Sequence, residues 1–441
     1  MTLALHPARL VVIAFATVTI LGTILLMLPI SAREGSTNLL DALFTSTSAV
    51  TVTGLAVRDT SVHWSGFGKG VIMLLIQFGG FGIMTGASVV ALFLSRQLGL
   101  RQRMFTQAET GTVSLGDIRR IVKAIAVVTL TVEFLTAVVL TFRFRATDDL
   151  DLWTAGRYGV FHAVSAFNNA GFSLYSDSLA RFSGDIWILG SIAIALVVGG
   201  LGFPVLLDLV DSPRHPRRWS LHTKLTLTVT ATLIVGAFLA ILVLEWSNPG
   251  TFGPMGVGDK LVNGGFHALT PRTAGFNVVD VGAMDDSTLL VHDGLMLVGA
   301  GAASTGGGIK VSTFGLLAFV IWAEVRGRQD VTLFERRISL SLQRQAIAVA
   351  LVSVGLVLTA ATAIARLSSI TQSQAVFEVT SAFGTVGLST GVTPHLSAIS
   401  QLIVIVIMFT GRVGILTLGT ALVMNIKPSL YRYPEEGLVI G

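Results

Sequence analysis

Four short segments of the chain end in glycine at near-equal spacing, each ahead of a long apolar run. They read TSAVTVTGL, SAFNNAGF, TPRTAGF and SAFGTVGL, with Gly54, Gly171, Gly275 and Gly387 separated by 117, 104 and 112 residues. A module repeated four times points to four equivalent units around a common axis. Glycine admits backbone conformations that a Cβ forbids, so each segment can turn carbonyls inward. Four sets of carbonyls around an axis can replace the hydration shell of a cation.

Composition decides the medium. Apolar residues make up 52% of the chain and charged residues 12%, against about 25% charge in a soluble domain. Several apolar stretches reach the ~20 residues that cross a bilayer. An all-α, polytopic membrane protein is expected. The chain has no cysteine, which excludes disulfides, thiol catalysis and thiolate metal sites. Eight spans are expected at 8–30, 70–95, 118–142, 186–209, 222–245, 290–325, 343–367 and 396–426. Residues 8–30 are too long for a signal-peptide core and are read as the first span.

The connections alternate in charge. One side carries 18 of the 30 lysines and arginines. Loops 96–123, 211–224 and 326–344 hold most of them. The other side carries the glycine motifs and acidic residues such as Asp41, Asp59, Asp148, Asp177 and Asp259. The positive-inside bias puts both termini in the cytoplasm and the motif loops outside. The basic residues thus read as topology signals facing a lipid bilayer, and nucleic acid is not expected as a partner.

Segments 37–50, 157–168, 258–271 and 373–384 precede the motif glycines and are too short to span. They suit short pore helices, each followed by extended backbone that only protein or water can surround. A half-helix ending at mid-membrane points its partly negative C-terminus inward, which favours a cation. The expected architecture is four tandem helix–pore loop–helix repeats around a pseudo-fourfold pore, with eight spanning helices and four pore helices. The ranges are 1–95, 96–210, 211–325 and 326–426, followed by a tail over 427–441.

The second helix of each repeat carries a small-residue break: Gly79 and Gly82, Gly199 and Gly202, Gly299, and Gly411 and Gly414. Close helix packing accounts for the first two. The third expands to GAGAASTGGGIK, Gly299 to Lys310, and three consecutive glycines should interrupt the helix. A Walker loop needs Lys straight after the second glycine, which Gly307 prevents. The segment reads as a flexible intramembrane gating loop over 299–310, carried by Gly301, Ser304, Thr305, Gly306, Gly307 and Gly308. In the fourth repeat Arg412 stands where the others have Gly80, Gly200 and Ala300. An arginine at membrane depth faces a wet cavity or a partner, so Arg412 is expected to gate the pore or to brace the broken loop. Lys310 caps the loop or reaches cytoplasmic water, and Glu133 has no assignable partner. His162 and His267 are expected to support pore helices. The titratable groups at membrane depth are isolated rather than clustered, so an enzyme is not expected.

This combination of repeats, filter glycines, GAGAASTGGGIK loop and TGRVG arginine resembles the Trk/Ktr/HKT superfamily of potassium transporters. Within it the chain is most similar to the KtrB family, the membrane subunits of bacterial Ktr systems. The resemblance implies filter backbone at Val52, Thr53 and Gly54; Asn169, Ala170 and Gly171; Thr273, Ala274 and Gly275; and Thr385, Val386 and Gly387. Glycine at all four positions implies potassium as the transported ion, and only Thr385–Val386–Gly387 keeps the order of tetrameric potassium channels. It further implies a homodimer in the bacterial inner membrane, docked through the basic loops on a cytoplasmic KtrA-type ring. A nucleotide is then expected on that regulatory partner, with no cofactor in this chain. A sodium role as coupling or activating ion stays open, as does alternating-access transport of another cation or solute. The tail YRYPEEGLVIG is compatible with a dimer interface.

Overall fold

The structure, a computed structural model, describes residues 7–103 and 115–414. The tail over 427–441 and part of the basic loop 96–123 lie outside the described residues. Helix α1 (Pro7–Met27) is followed by the short α2 (Leu39–Val50) and the long α3 (Gly66–Arg103). The same order recurs in α4 (Leu115–Asp148), α5 (Leu152–Phe167) and α6 (Ile186–Leu201), with α7 (Phe203–Asp211) appended. Next come α8 (Leu221–Glu245), α9 (Val257–Leu269), α10 (Asp286–Leu297) and α11 (Val311–Val325). A two-residue-per-strand hairpin, β1 (Thr332–Leu333) against β2 (Arg336–Arg337), precedes α12 (Leu340–Leu367). Helices α13 (Gln372–Gly384) and α14 (Ala398–Phe409) follow, and α14 runs into a π-helical turn over Thr410–Gly414.

The short helices sit inside and the long ones outside. Along α2, residues Phe44 to Val50 are all buried, including Thr45, Ser46, Thr47 and Ser48. Phe134, Val243 and Leu351 on the long helices are exposed instead. This inversion of the soluble pattern is what a lipid surround demands, because lipid tails are as apolar as leucine. Three of the short helices start at side-chain caps: Asn38 accepts from Asp41 N at 2.7 Å, Asp151 from Thr154 N at 3.1 Å, and Thr371 closes a capping box with Gln374. Each cap satisfies a backbone donor at a fixed start, so the helix length sets where its C-terminus stops.

Among the described residues, four helices are long and apolar enough to cross a membrane alone: Gly66–Gly86, Val122–Asp148, Leu221–Glu245 and Leu340–Leu367. The expected single span over 186–209 is corrected by the structure. It is two helices, α6 and α7, meeting at 99°. Gly202 makes the corner with φ +92, and a Cβ there would strike the Ala302 carbonyl. The chain after α10 crosses at that corner and takes up its backbone groups, through Gly301 N to Gly200 O at 2.8 Å and Phe203 N to Ala303 O at 3.2 Å. The stretch 290–325 divides into α10 and α11, as its consecutive glycines led one to expect, and within 396–426 the α-helix ends at Phe409.

One buried carboxylate ties the third unit together. Glu245 accepts hydrogen bonds from Asn248 Nδ2 (2.8 Å), Thr251 Oγ1 (2.5 Å), Asp285 N (2.9 Å) and Thr288 Oγ1 (2.5 Å). Glu245→Ala leaves these donors bare and is expected to destabilise the fold by about 3 kcal/mol. Thermal unfolding in detergent measures this, and an unchanged midpoint would contradict the clasp.

Candidate ion pathway

Each short helix ends in a turn of alternating hand. Val52, Asn169, Thr273 and Thr385 have φ of +57, +58, +73 and +50, and the glycines two residues on have +94, +68, +75 and +96. Thr53, Ala170, Ala274 and Val386, which lie between, are absent from the positive-φ set. Alternating the sign of φ turns successive carbonyls to one side of a strand, the arrangement that cation filters use. Left-handed φ at a β-branched residue such as Val52 costs about 1–3 kcal/mol and needs surroundings that enforce it.

Those surroundings are visible. Thr53 N donates to Ser48 O (2.7 Å), Ala170 N to Ser165 O (2.7 Å), Ala274 N to Thr270 O (2.9 Å) and Val386 N to Ser381 O (2.8 Å). The Ser48 and Ser381 hydroxyls accept from Gly54 N and Gly387 N at 3.0 and 3.1 Å. The Thr51 and Thr53 hydroxyls pair at 2.7 Å. In the second segment the Asn169 amide braces the loop. It accepts from Thr273 Oγ1 at 3.0 Å and donates to Leu196 O and Ala166 O, both at 3.1 Å.

The four segments close on one another. A Cβ placed on Gly54 would lie within 3.0 Å of Ala170 O; on Gly171, of Ala274 O; on Gly275, of Val386 O; and on Gly387, of Thr53 O. The contacts therefore run from first to second to third to fourth and back to first, a ring of backbone with no room for a side chain. Above it lies a mouth of ≈ 310 Å³ lined by all four glycines, Asp59 and Ser389 among others. Burial alone would raise the Asp59 carboxyl, but donors from Ser176 and Ser61 outweigh it and hold it below the usual carboxylate range. It is anionic at neutral pH.

Beneath the ring, small residues of α3, α6 and the turn after α14 meet the ends of α2, α5 and α13. A Cβ on Gly79, Gly199 or Gly411 would strike Val50 O, Phe167 O or Phe383 O. Between α10 and α11 the chain fills the remaining space. Gly299 N donates to Ile309 O (2.9 Å), Ser304 Oγ to Gly301 O (2.7 Å), and Gly307 N to the Thr385 hydroxyl (2.9 Å). A Cβ on Gly306 would strike the Thr273 side chain, and Gly308 turns with φ +68. Two cations hold this loop. Lys310 Nζ donates to Gly306 O at 2.5 Å, and Arg412, 3% exposed, donates from Nη1 to Thr305 O and from Nη2 to Gly79 O at 3.5 Å.

Sequence reasoning left Glu133 without a partner. It accepts from Asn168 Nδ2 at 3.0 Å and from Gln77 Nε2 at 3.3 Å, and so steadies the residue before Asn169. Neither Asn168 nor Gln77 had drawn notice, and an amide directly ahead of a glycine motif was the available signal. His162 bridges Tyr158 O (2.8 Å) and the Ser173 hydroxyl (3.0 Å), whereas neither ring nitrogen of His267 has a partner. The Arg272 guanidinium, in the third motif, donates from Nη2 to the Thr230 hydroxyl at 3.3 Å, and its Nε has no hydrogen-bond partner among the described residues.

An all-helical, lipid-facing bundle enclosing a ring of backbone defines an integral membrane transport protein. A family model described as TrkH, cation transport protein, matches residues 2–429, and the chain belongs to that family. The chain is 41% identical to the Ktr system potassium uptake protein B of Bacillus subtilis, over 99% of this chain and 97% of that one. Its counterpart of the same name in Vibrio alginolyticus is 37% identical, over 98% and 94%. The potassium/sodium uptake protein NtpJ of Enterococcus hirae is 33% identical, over 99% and 98%. The crystal structure of the potassium transporter TrkH from Vibrio parahaemolyticus matches with a TM-score of 0.72 at 20% identity, over 96% of this chain and 85% of that one. That last likeness is one of fold. These relatives are transport proteins rather than enzymes, in agreement with the isolated titratable groups.

Proposed function

We propose that the chain is the ion-translocating subunit of a bacterial potassium uptake system. The observation that carries this reading is the closed ring of Gly54, Gly171, Gly275 and Gly387, whose backbones approach too closely for any side chain. Carbonyls of Val52 to Gly54, Asn169 to Gly171, Thr273 to Gly275 and Thr385 to Gly387 form the filter, in four tandem repeats over 1–95, 96–210, 211–325 and 326–426. The loop over 299–310 closes the pathway below, and Arg412 and Lys310 hold it shut. The names of the Bacillus and Vibrio relatives support potassium as the cargo, and that of the Enterococcus relative supports a sodium role.

The chain sits in the cell membrane with both termini cytoplasmic. Arg214, Arg217, Arg218, Arg336 and Arg337 are exposed, and with loop 96–123 they form the docking face for a nucleotide-binding ring of the KtrA type. Two copies of the chain assemble on that ring, each with its own pore.

Rubidium uptake in a bacterial strain lacking its own potassium uptake tests the reading, with and without such a partner. Uptake displaced by potassium but not by sodium, and raised by the partner, is expected. No uptake despite good membrane expression would move the assignment to another solute. The bend between α6 and α7 and the break between α10 and α11 suit alternating access as well, and counterflow of labelled ion would favour that mechanism.

A further inference from the structure

Away from the ring, α3, α4 and α5 enclose a groove of ≈ 700 Å³ on the side of the glycine motifs. Its walls are apolar, with Met73, Phe134, Val138 and Val160 among them. Glycines keep it open: a Cβ on Gly66, Gly70 or Gly156 would meet no atom within 4 Å. Lys69 and Arg157 also line it, and no carboxylate does.

Neither cation has an ion-pair partner among the described residues. Lys69 donates to the Ser61 carbonyl at 2.7 Å and feels Arg33 and Arg157 as well as Asp59. Arg157 is exposed and makes no ion pair among the described residues. An unpaired guanidinium at the edge of an apolar wall is free to attract an anionic headgroup. Trp153, 74% exposed at the same end, marks the level of the membrane interface. There Leu174 is shared with a polar cleft of ≈ 540 Å³ that includes Arg33, Asp148 and Arg181, the last paired with Asp177. An apolar trough leading to Lys69 and Arg157 at headgroup level matches an amphiphile with a negative head.

We propose that this groove binds a glycerophospholipid with an anionic headgroup, its acyl chain along Met73, Phe134 and Val138 and its phosphate between Lys69 and Arg157. The lipid would lie against α5, whose far end leads into Asn168 and Asn169. Lipid composition therefore acts on the second of the four segments.

The test uses the full chain purified in detergent, with bound lipid counted by native mass spectrometry. Phosphatidylglycerol is compared with phosphatidylcholine of the same acyl chains. The expected result is retention of phosphatidylglycerol favoured about fivefold per basic contact. Arg157→Gln should lower that preference about fivefold, and Gly156→Leu, which fills the groove, should remove retention of both lipids. Arg157 is exposed and unpaired, so its variant keeps the proposal testable if the groove-filling one does not fold. Equal retention of the two lipids by the unmodified chain would overturn the proposal. So would an unchanged lipid count in Gly156→Leu with a shift in oligomeric mass, which would assign the groove to a second copy of the chain.

Discussion

Rubidium uptake through a Gly54→Ser chain is expected to fall at least about tenfold and to lose its preference for potassium over sodium. Two costs meet at this position. Gly54 has φ +94, where an L side chain is strained by about 1–3 kcal/mol. The new Cβ would also press on the Ala170 carbonyl of the next segment. The carbonyl must move, and the move propagates because Gly171, next along the segment, is packed so that not even a Cβ fits beside Ala274 O. A displaced carbonyl no longer matches the radius of a dehydrated ion, so selectivity fails together with rate. The four positions should differ in degree. The nearest contact of a Cβ on Gly171 is 2.9 Å away, whereas those on Gly275 and Gly387 are closer. Gly171→Ala should therefore be the mildest of the series. Uptake assays with sodium competition, normalised to membrane expression, read both quantities. Intact selectivity in Gly54→Ser would remove the ring from the mechanism.

The second large effect has the opposite sign. Arg412→Ala is expected to raise potassium flux by about tenfold, and deletion of Ser304 to Gly308 should act in the same direction. The guanidinium donates to Thr305 O inside a buried site, and such a charge-assisted bond is worth about 1.5–3 kcal/mol. Losing ~1.4 kcal/mol of bias towards the closed loop is a tenfold change in the open population. Lys310→Gln should do less, because its contact with Gly306 O lies within the same short loop and Arg412 remains. Flux at the unmodified level, with normal expression, would leave the loop a structural plug. A chain that fails to fold would assign Arg412 to assembly.

Much of the fold was legible from spacing and hydropathy. Apolar runs long enough to span, and short ones ahead of each motif glycine, gave α3, α4, α8 and α12 as long helices and α2, α5, α9 and α13 as short ones. The bend at Gly202 was not legible, because VGGLGF reads equally as close packing within one continuous helix. What decides it is a chain segment about a hundred residues further on that needs the space. Left-handed φ at Val52, Thr273 and Thr385 runs against local preference, so no propensity could have indicated it. Glu133 was opaque for a related reason. Its partners Gln77 and Asn168 lie on α3 and just past α5, 56 and 35 residues away. Local pattern gives the elements, whereas contacts between units give the strain and the polar pairing.

Joining four units in one chain has a further consequence, visible at Arg412. The matching places in the other three units hold Gly80, Gly200 and Ala300, so only the fourth unit carries a guanidinium at this position. Four identical subunits could not do this. Any arginine placed there would appear four times, and four positive charges facing one axis would repel one another and every permeating cation. A fused chain can place one arginine latch on one side and leave small residues at the matching places of the other three units. Covalent linkage thus frees the pathway from its own symmetry, and one residue can be altered there without being altered four times over.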